Sequence, residues 1–457
     1  VALRALRVSR IASVACAPVV GTAMYAAWCI VCGKMGIACS WWSVFVPVLG
    51  AALLFALAFV VFERRSTGLI RLAQGERILI GGVDTRHDAL LLLLYFTVGV
   101  MAVTWVFLRG LDGSGSFVQE LDNAHHLNAI RSFLDSGVWS SLSSSLYLAE
   151  PAGVDPTPGV SFYPSAWHDV VAMIVDATGV TITQGVNAAN ALFAGLVFPG
   201  CSYLLMRKVF PGKPVALACG AVATMAFAAF PWMVLYWGPL YPNCASLCIF
   251  PAVAWSFMEA TEVRRSLSSR IVSMVIFAAG GGALALLQPN AGFTTAVFLV
   301  PWCVHRVVQA SGASPRCAKR KRAWQVAFAC GFLAFAIAVW AILYNLPFFE
   351  SVVSHVWPQF ADGPQGVINI LALSFRWSMA QLLLGIVVAV GFVLALCDKR
   401  CRWLAASYAL ACVIYFVAAT TDTQLKHWLA GFWYTDPVRL AANAVLFAMP
   451  LAAGGLA

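Results

Sequence analysis

Blocks of apolar residues, each about as long as a helix needs to cross a bilayer, recur along the whole chain. They fall at roughly 11–32, 41–62, 88–109, 183–206, 214–233, 241–259, 271–288, 291–308, 323–343, 377–397, 403–420 and 437–457. Within hydrocarbon every backbone N–H and C=O must be paired inside the segment or across a closed barrel. Blocks of about 20 residues therefore predict helices and not strands. The sequence is 61% hydrophobic and only 11% charged, with a mean hydropathy of +0.83, far above that of soluble domains. The expected fold is an all-α integral membrane protein of about 12 transmembrane helices, a single polytopic domain over residues 1–457. The chain starts without Met and stops inside an apolar run (Val445 to Ala457), as expected of a sequence truncated at one or both ends.

Charge tests this map. With the N-terminus placed inside, 23 of the 29 basic residues fall on the inner side: Arg4 to Arg10, Arg64 to Arg86, Arg207 to Lys213, Arg264 to Arg270, Arg306 to Arg322 and Lys399 to Arg402. Only 7 of the 19 acids lie with them. This is the positive-inside asymmetry, and an error in the number of spans would scramble it. The net charge of +10 thus reads as a topology signal and not as a nucleic-acid surface. The run Arg316 to Arg322, "RCAKRKR", suits anionic lipid headgroups at a helix end. The 14 cysteines mostly sit inside apolar blocks and show no paired zinc spacing, and Cys29 and Cys32 form a lone CxxC at a helix end.

Three long outer segments remain, at about 110–182, 344–376 and 421–436, and the unusual polar chemistry lies on that side. "QELDNAHHLNAIRSF" (Gln119 to Phe133) sets Asp122 and His126 four residues apart, on one face of an amphipathic helix. A carboxylate and an imidazole so placed can share a proton or hold a divalent cation, Mg or Mn. An ordinary solvated loop helix would carry them as well. His125 points about 100° away and reads as a bystander. "SFYPSAWHD" (Ser161 to Asp169) has a turn at Tyr163-Pro164 and then His168, which an interfacial aromatic anchor does not explain. In "LLQPNAGF" only Gln288 stands out from turn chemistry, and "YWGPLYPN" (Tyr236 to Asn243) is an aromatic turn suited to lining a cavity. "GFWYTDPVRL" places Asp436 as N-cap of the last span, a role that needs neither Trp433, Tyr434 nor Arg439. An arginine one turn into a span calls for an anion, which Asp436 or a phosphate would supply.

An acid in the first long outer loop, then many spans, then late outer-loop aromatics and an arginine, resembles the GT-C superfamily of membrane glycosyltransferases. The motifs "LDNAHHLNAIRSFLDSG", "FYPSAWH", "LLQPNAGF" and "FWYTDPVRLAA" more closely resemble those of an uncharacterised family of bacterial multi-pass proteins in or near that superfamily. The resemblance covers about Leu121 to Ala442. It implies a GT-C-like fold whose long first outer loop carries surface helices. It also implies a bacterial plasma-membrane location with the N-terminus cytoplasmic, and transfer of a sugar from a polyprenyl-phosphate donor to a cell-envelope acceptor. Asp122 and His126 would match the loop acid and histidine, and Tyr163, Pro164 and His168 the second motif. Trp433, Tyr434, Asp436 and Arg439 would match the late one. Many GT-C enzymes carry two adjacent acids in the first loop, whereas here Asn123 follows Asp122 and Glu120 precedes it by two.

Such a transfer needs a base for the acceptor hydroxyl and stabilisation of a departing phosphate. Asp122, His126 and His168 are the expected catalytic group. Tyr163, Gln288, Trp433, Tyr434, Asp436 and Arg439 are the expected substrate contacts, with Arg439 on the lipid phosphate. The two groups are expected within about 15 Å in one outward-facing cavity. A transporter or flippase would place polar residues at the bilayer midplane, where this sequence has almost none. A non-catalytic envelope-assembly component, binding partners through its outer loops, is the third reading.

Overall fold

The computed structural model describes residues 1–65, 80–82, 84–144, 162–263, 265–313, 321–376 and 378–457. Residues 145–161 of the long outer loop, Arg71, Arg77 and most of the basic run from Arg316 lie outside the described residues. Among the described residues every regular element is a helix, and extended pairing amounts to one bridge, Val8 to Ile80.

In chain order, α1 (Arg10–Met35), α2 (Trp41–Phe62) and α3 (Arg86–Gly110) are long and apolar enough to cross a membrane. Two shorter helices follow, α4 (Leu121–Ser136) and α5 (Ala166–Thr178). Then come spans α6 (Ile182–Val209) and α7 (Pro214–Tyr236), the latter interrupted at the extended residue Phe230. After α8 (Tyr241–Ala260) come spans α9 (Leu267–Leu287), α10 (Asn290–Ser311) and α11 (Arg322–Tyr344). The chain ends with α12 (Gly363–Leu371), α13 (Leu382–Cys397), span α14 (Arg402–Thr420), α15 (Gln424–Ala430) and span α16 (Pro437–Leu456).

Among the described residues ten helices thus meet the length and apolarity of a span, against the twelve expected. The other two exist as helices but differ from expectation. α8 is 20 residues long and every residue but Phe257 is buried. Surrounded by protein, it can carry Asn243, Ser246, Ser256 and Glu259, which a lipid-facing helix could not. α13 is 16 residues, about 24 Å at 1.5 Å per residue, and starts at Leu382 and not near 377. The reason is Gln381. Its Nε2 donates to the Ala226 carbonyl at 2.8 Å and its Oε1 accepts from the Ala228 N–H at 2.9 Å. This clasp satisfies the backbone where α7 is interrupted, and it holds Gln381 out of the helix.

The chain divides into two compact units, Val1–Pro211 with Leu235–Ala291, and Gly212–Val234 with Gly292–Ala457. In the first, α8 packs against α9 and α6, α9 packs on α1, and α5 packs on α4 and the first part of α6. Ion pairs tie three helix ends together. Arg207 reaches Asp88 at 3.1 Å, Lys208 reaches Glu259 at 2.8 Å, and Arg265 reaches the same carboxylate at 3.2 Å. Basic residues that the charge map assigns to the inner face are therefore partly neutralised within the fold. In the second unit α16 is the buried centre, packed by α13, α14 and α7. α11 turns Phe335, Ile337 and Ile342 outward with none of its most apolar stretch buried, as a lipid-facing helix does.

Candidate functional site

In the first unit α4 starts directly after an extended Glu120 and ends on Gly137, whose left-handed φ of 69° caps it. The stripe of Ala129, Ile130 and Phe133 faces inward, and His126 lies on the same side, 5% exposed. α5 brings His168, fully buried, against it. His126 Nδ1 and His168 Nε2 are 3.0 Å apart, one ring donating and the other accepting. Trp167 and Tyr241 close over His126 with ring centroids at 5.5 and 5.9 Å. Tyr163 stacks 4.7 Å from His125 and 5.6 Å from His168.

Asp122 is exposed, in the first turn of α4, where the helix dipole favours a carboxylate. Gly238 brings the "YWGPLYPN" turn close to it: a Cβ on Gly238 would lie 3.5 Å from Asp122 Oδ2. Asn123 points elsewhere, its Nδ2 donating to the Val118 carbonyl at 2.7 Å, so the residue following Asp122 is spent on the loop. The expected Asp122/His126 face is thus split, with the carboxylate at the surface and the imidazole inside.

Burial holds the His168 pKa well below that of a free imidazole, and the charges of His126 and His125 push the same way. Burial also lowers His125, against the opposing pull of the Asp122 carboxylate. Both rings are therefore held neutral. Asp169, fully buried, has its pKa pushed well above the ordinary carboxylate range, mainly by burial and then by charge at Cys39. Among the described residues His168 Nδ1 and His125 Nε2 are buried with no hydrogen-bond partner. Each such atom costs about 1–3 kcal/mol.

The second group sits in the second unit. Trp433 is buried and donates its indole N–H to Thr294 Oγ1 at 3.0 Å. Tyr434 and Thr435 both take left-handed φ, 60° and 52°, turning the chain sharply into α16. Thr435 Oγ1 accepts from the Trp357 N–H at 2.9 Å, and Asp436 caps α16 by accepting from the Val438 N–H at 2.8 Å. Arg439 pairs with Asp436 at 3.3 Å and lies over the Tyr434 ring, 4.4 Å from its centroid. Its Nε and Nη1 are buried and neither makes a well-formed hydrogen bond among the described residues. Burial raises the Asp436 pKa, opposed by the charges of Arg439 and Arg376.

The structure therefore gathers Asp122, His126, Tyr163 and His168 around α4 and α5, and Trp433, Tyr434, Asp436 and Arg439 around the start of α16. Gln288 also belongs to the first unit, as the C-cap of α9, its backbone N–H donating to the Leu284 carbonyl at 2.8 Å. The sequence reading missed His125, Asp169 and Arg376. His125 and Asp169 neighbour chosen residues in sequence. Arg376 is the basic residue before the irregular entry to α13, and it lies over Trp357 and Phe360 at 5.6 and 5.0 Å. As to metal, among the described residues no group of three His, Cys, Asp or Glu side chains is arranged to hold an ion. Asp122 and His126 alone offer two ligands, and Nδ1 of His126 is engaged by His168.

A family model described as "Family of unknown function (DUF6541)" matches residues 1–457. The chain belongs to that family. The match spans both units, so the α4–α5 histidine cluster and the Asp436–Arg439 cap are parts of one DUF6541 chain. No curated protein and no solved structure matches this chain significantly.

Proposed function

We propose that this DUF6541 protein is a membrane glycosyltransferase that moves a sugar from a polyprenyl-phosphate donor to a cell-envelope acceptor. The observation that carries the reading is the buried His126–His168 hydrogen bond behind an exposed carboxylate, Asp122. A reaction at a membrane surface needs ionisable groups there, and this cluster concentrates them. Asp122 takes the proton of the acceptor hydroxyl as its oxygen bonds to the sugar C1, and the C1–O bond to the lipid phosphate breaks with its electron pair leaving on the phosphate. His126 and His168, paired by their ring nitrogens, position the groups around Asp122. Within the second unit, Arg439 by itself has the buried N–H groups and flat guanidinium that suit an anionic phosphate group. No step runs through a metal.

The Asp436–Arg439 pair is also what a helix cap alone would show, and it favours a non-catalytic envelope-assembly component as the second reading. Incubation of the purified protein with radiolabelled polyprenyl-phosphate sugars and an envelope extract separates the two. Transfer by the wild type and loss of turnover in a folded Asp122→Asn variant support the transferase, because the amide has the carboxylate's shape but accepts no proton. Unchanged transfer in that variant rejects Asp122 as the base, and no transfer with any donor leaves the assembly component.

A further inference from the structure

The lone CxxC of the sequence acquires a third member in the fold. Cys29 and Cys32 lie one turn apart near the end of α1, and Cys39 returns from the loop before α2, its backbone N–H donating to the Gly137 carbonyl at 2.7 Å. The Cys39 sulfur hydrogen-bonds with the thiols of both Cys29 and Cys32 and accepts from the Trp139 backbone N–H. All three thiols are free, and Val44, Phe133, Trp139 and Ala172 enclose them. Asp169, next in sequence to His168, feels the charge of Cys39, so the thiols lie behind the histidine cluster within the same unit.

Cys39 alone of the three differs from a cysteine used only as a small hydrophobe. Burial in apolar surroundings raises a thiol's pKa, whereas that of Cys39 is lowered, chiefly by the hydrogen bond from Cys29. An attacking thiol is most effective when its pKa lies near the ambient pH, and reactive thiols sit beside a resolving partner. Cys39 is nearly buried, but Met35, Gly36, Ile37 and Ala38 before it are all exposed, so a short loop displacement uncovers its sulfur.

We propose that Cys29 and Cys39 form a thiol–disulfide exchange site, with Cys39 attacking and Cys29 resolving. The oxidant is a low-molecular-weight disulfide. The Cys39 thiolate attacks one sulfur of that disulfide and expels the other as thiolate, giving a mixed disulfide. Cys29 passes its proton to the first thiolate released and attacks the Cys39 sulfur, releasing the second thiolate, which takes a proton from water. Two protein thiols lose two electrons to become one disulfide, and the oxidant gains them as two thiols. Cys32 is not consumed; it donates a hydrogen bond to the Cys39 thiolate. The product removes the thiolate charge beside Asp169 and fastens the end of α1 to the loop that follows it.

The test equilibrates the reduced full-length protein in detergent with glutathione/glutathione-disulfide mixtures, traps free thiols with N-ethylmaleimide and maps the peptides by mass spectrometry. A Cys29–Cys39 linked peptide should form in oxidising mixtures and vanish with dithiothreitol, leaving two fewer alkylated thiols in the oxidised form. Cys32→Ser should still form it. Cys29→Ser should instead accumulate a glutathione adduct on Cys39, which keeps the test open if a Cys39→Ser variant does not fold. Cys39 alkylated in every mixture, or linked to Cys32 in the wild type, overturns the assignment.

Discussion

His168 shows how a single residue ties burial to behaviour. Its folded pKa lies well below that of a free imidazole because the ring is buried beside His126. Below about pH 6.5 the unfolded ring takes up a proton that the folded ring refuses. The stability contributed by this group is therefore complete above the unfolded pKa and drains as pH falls toward the folded one. The thermal midpoint should drop from pH 7 to pH 5, and His168→Asn should show a shallower drop by intrinsic-fluorescence melting; equal slopes would assign the effect elsewhere. Asp169 acts with the opposite sign. Its folded pKa is raised above 3.8, so its contribution is complete in acid and is lost as pH rises through the folded value. Asp169→Asn should accordingly gain more over wild type at pH 8 than at pH 5 in the same melts, and a uniform shift would reject the buried-acid account. At this scale the sequence singled out His126 and His168, which the fold pairs, whereas the spacing of Asp122 and His126 did not foretell that the carboxylate lies at the surface and the imidazole inside. His125 was not singled out, because helical periodicity assigns residues to faces of one helix. The cluster wraps around α4 and uses Tyr163 to reach the ring that faces the other way.

Helix pairing depends on positions that hydropathy does not register. α13 crosses α16 so closely that a Cβ on Gly391 would lie 1.9 Å from the Leu451 carbonyl oxygen, and one on Gly455 2.2 Å from that of Val387. In lipid the gain from such a crossing is close packing and not apolar burial, so a methyl group there forces the backbones apart. Gly391→Ala should cost on the order of 1–3 kcal/mol, the usual range for overpacking. Gly282, in α9, has nothing within 4 Å of its would-be Cβ. Its replacement by Ala should be neutral or gain roughly 0.5–1 kcal/mol from helix propensity. Thermal stability in detergent, followed by size-exclusion chromatography, checks both, and equal effects would show that the crossing carries no strain. Neither glycine was readable as a contact, since each meets a backbone carbonyl some 60 residues away in sequence. Apolar block length did place the helices, and it failed where polar atoms intervene. Gln381 delays the start of α13, and the buried Asn and Ser residues of α8 take it below the apolarity of a span.

Over the whole chain, the charge distribution carries an expectation about sidedness and none about which helices pack together. The division into two units is discontinuous, since the chain leaves the first at Pro211 and returns at Leu235, and no composition shift marks either point. The positive-inside asymmetry, in contrast, is a property of the whole charge distribution and needs no contacts. It carries the expectation that, with the N-terminus inside, the α4–α5 segment and the α14–α16 connection lie outside and the loop around Ser314 inside. Part of that asymmetry is consumed by the pairing of Arg207, Lys208 and Arg265 with acids, which raises the question of whether enough unpaired charge is left to set orientation. Arg4, Arg10 and the run from Arg316 to Arg322 are close in sequence to span ends, where basic residues act on insertion. Cysteines introduced at Ser143 and Thr423 should therefore react with a membrane-impermeant thiol reagent added to intact cells. One at Ser314 should react only after the membrane is opened. Labelling of Ser314 alone in intact cells would invert the orientation, move the Asp122 cluster to the cytoplasmic face, and remove the basis for transfer to an outer-face acceptor.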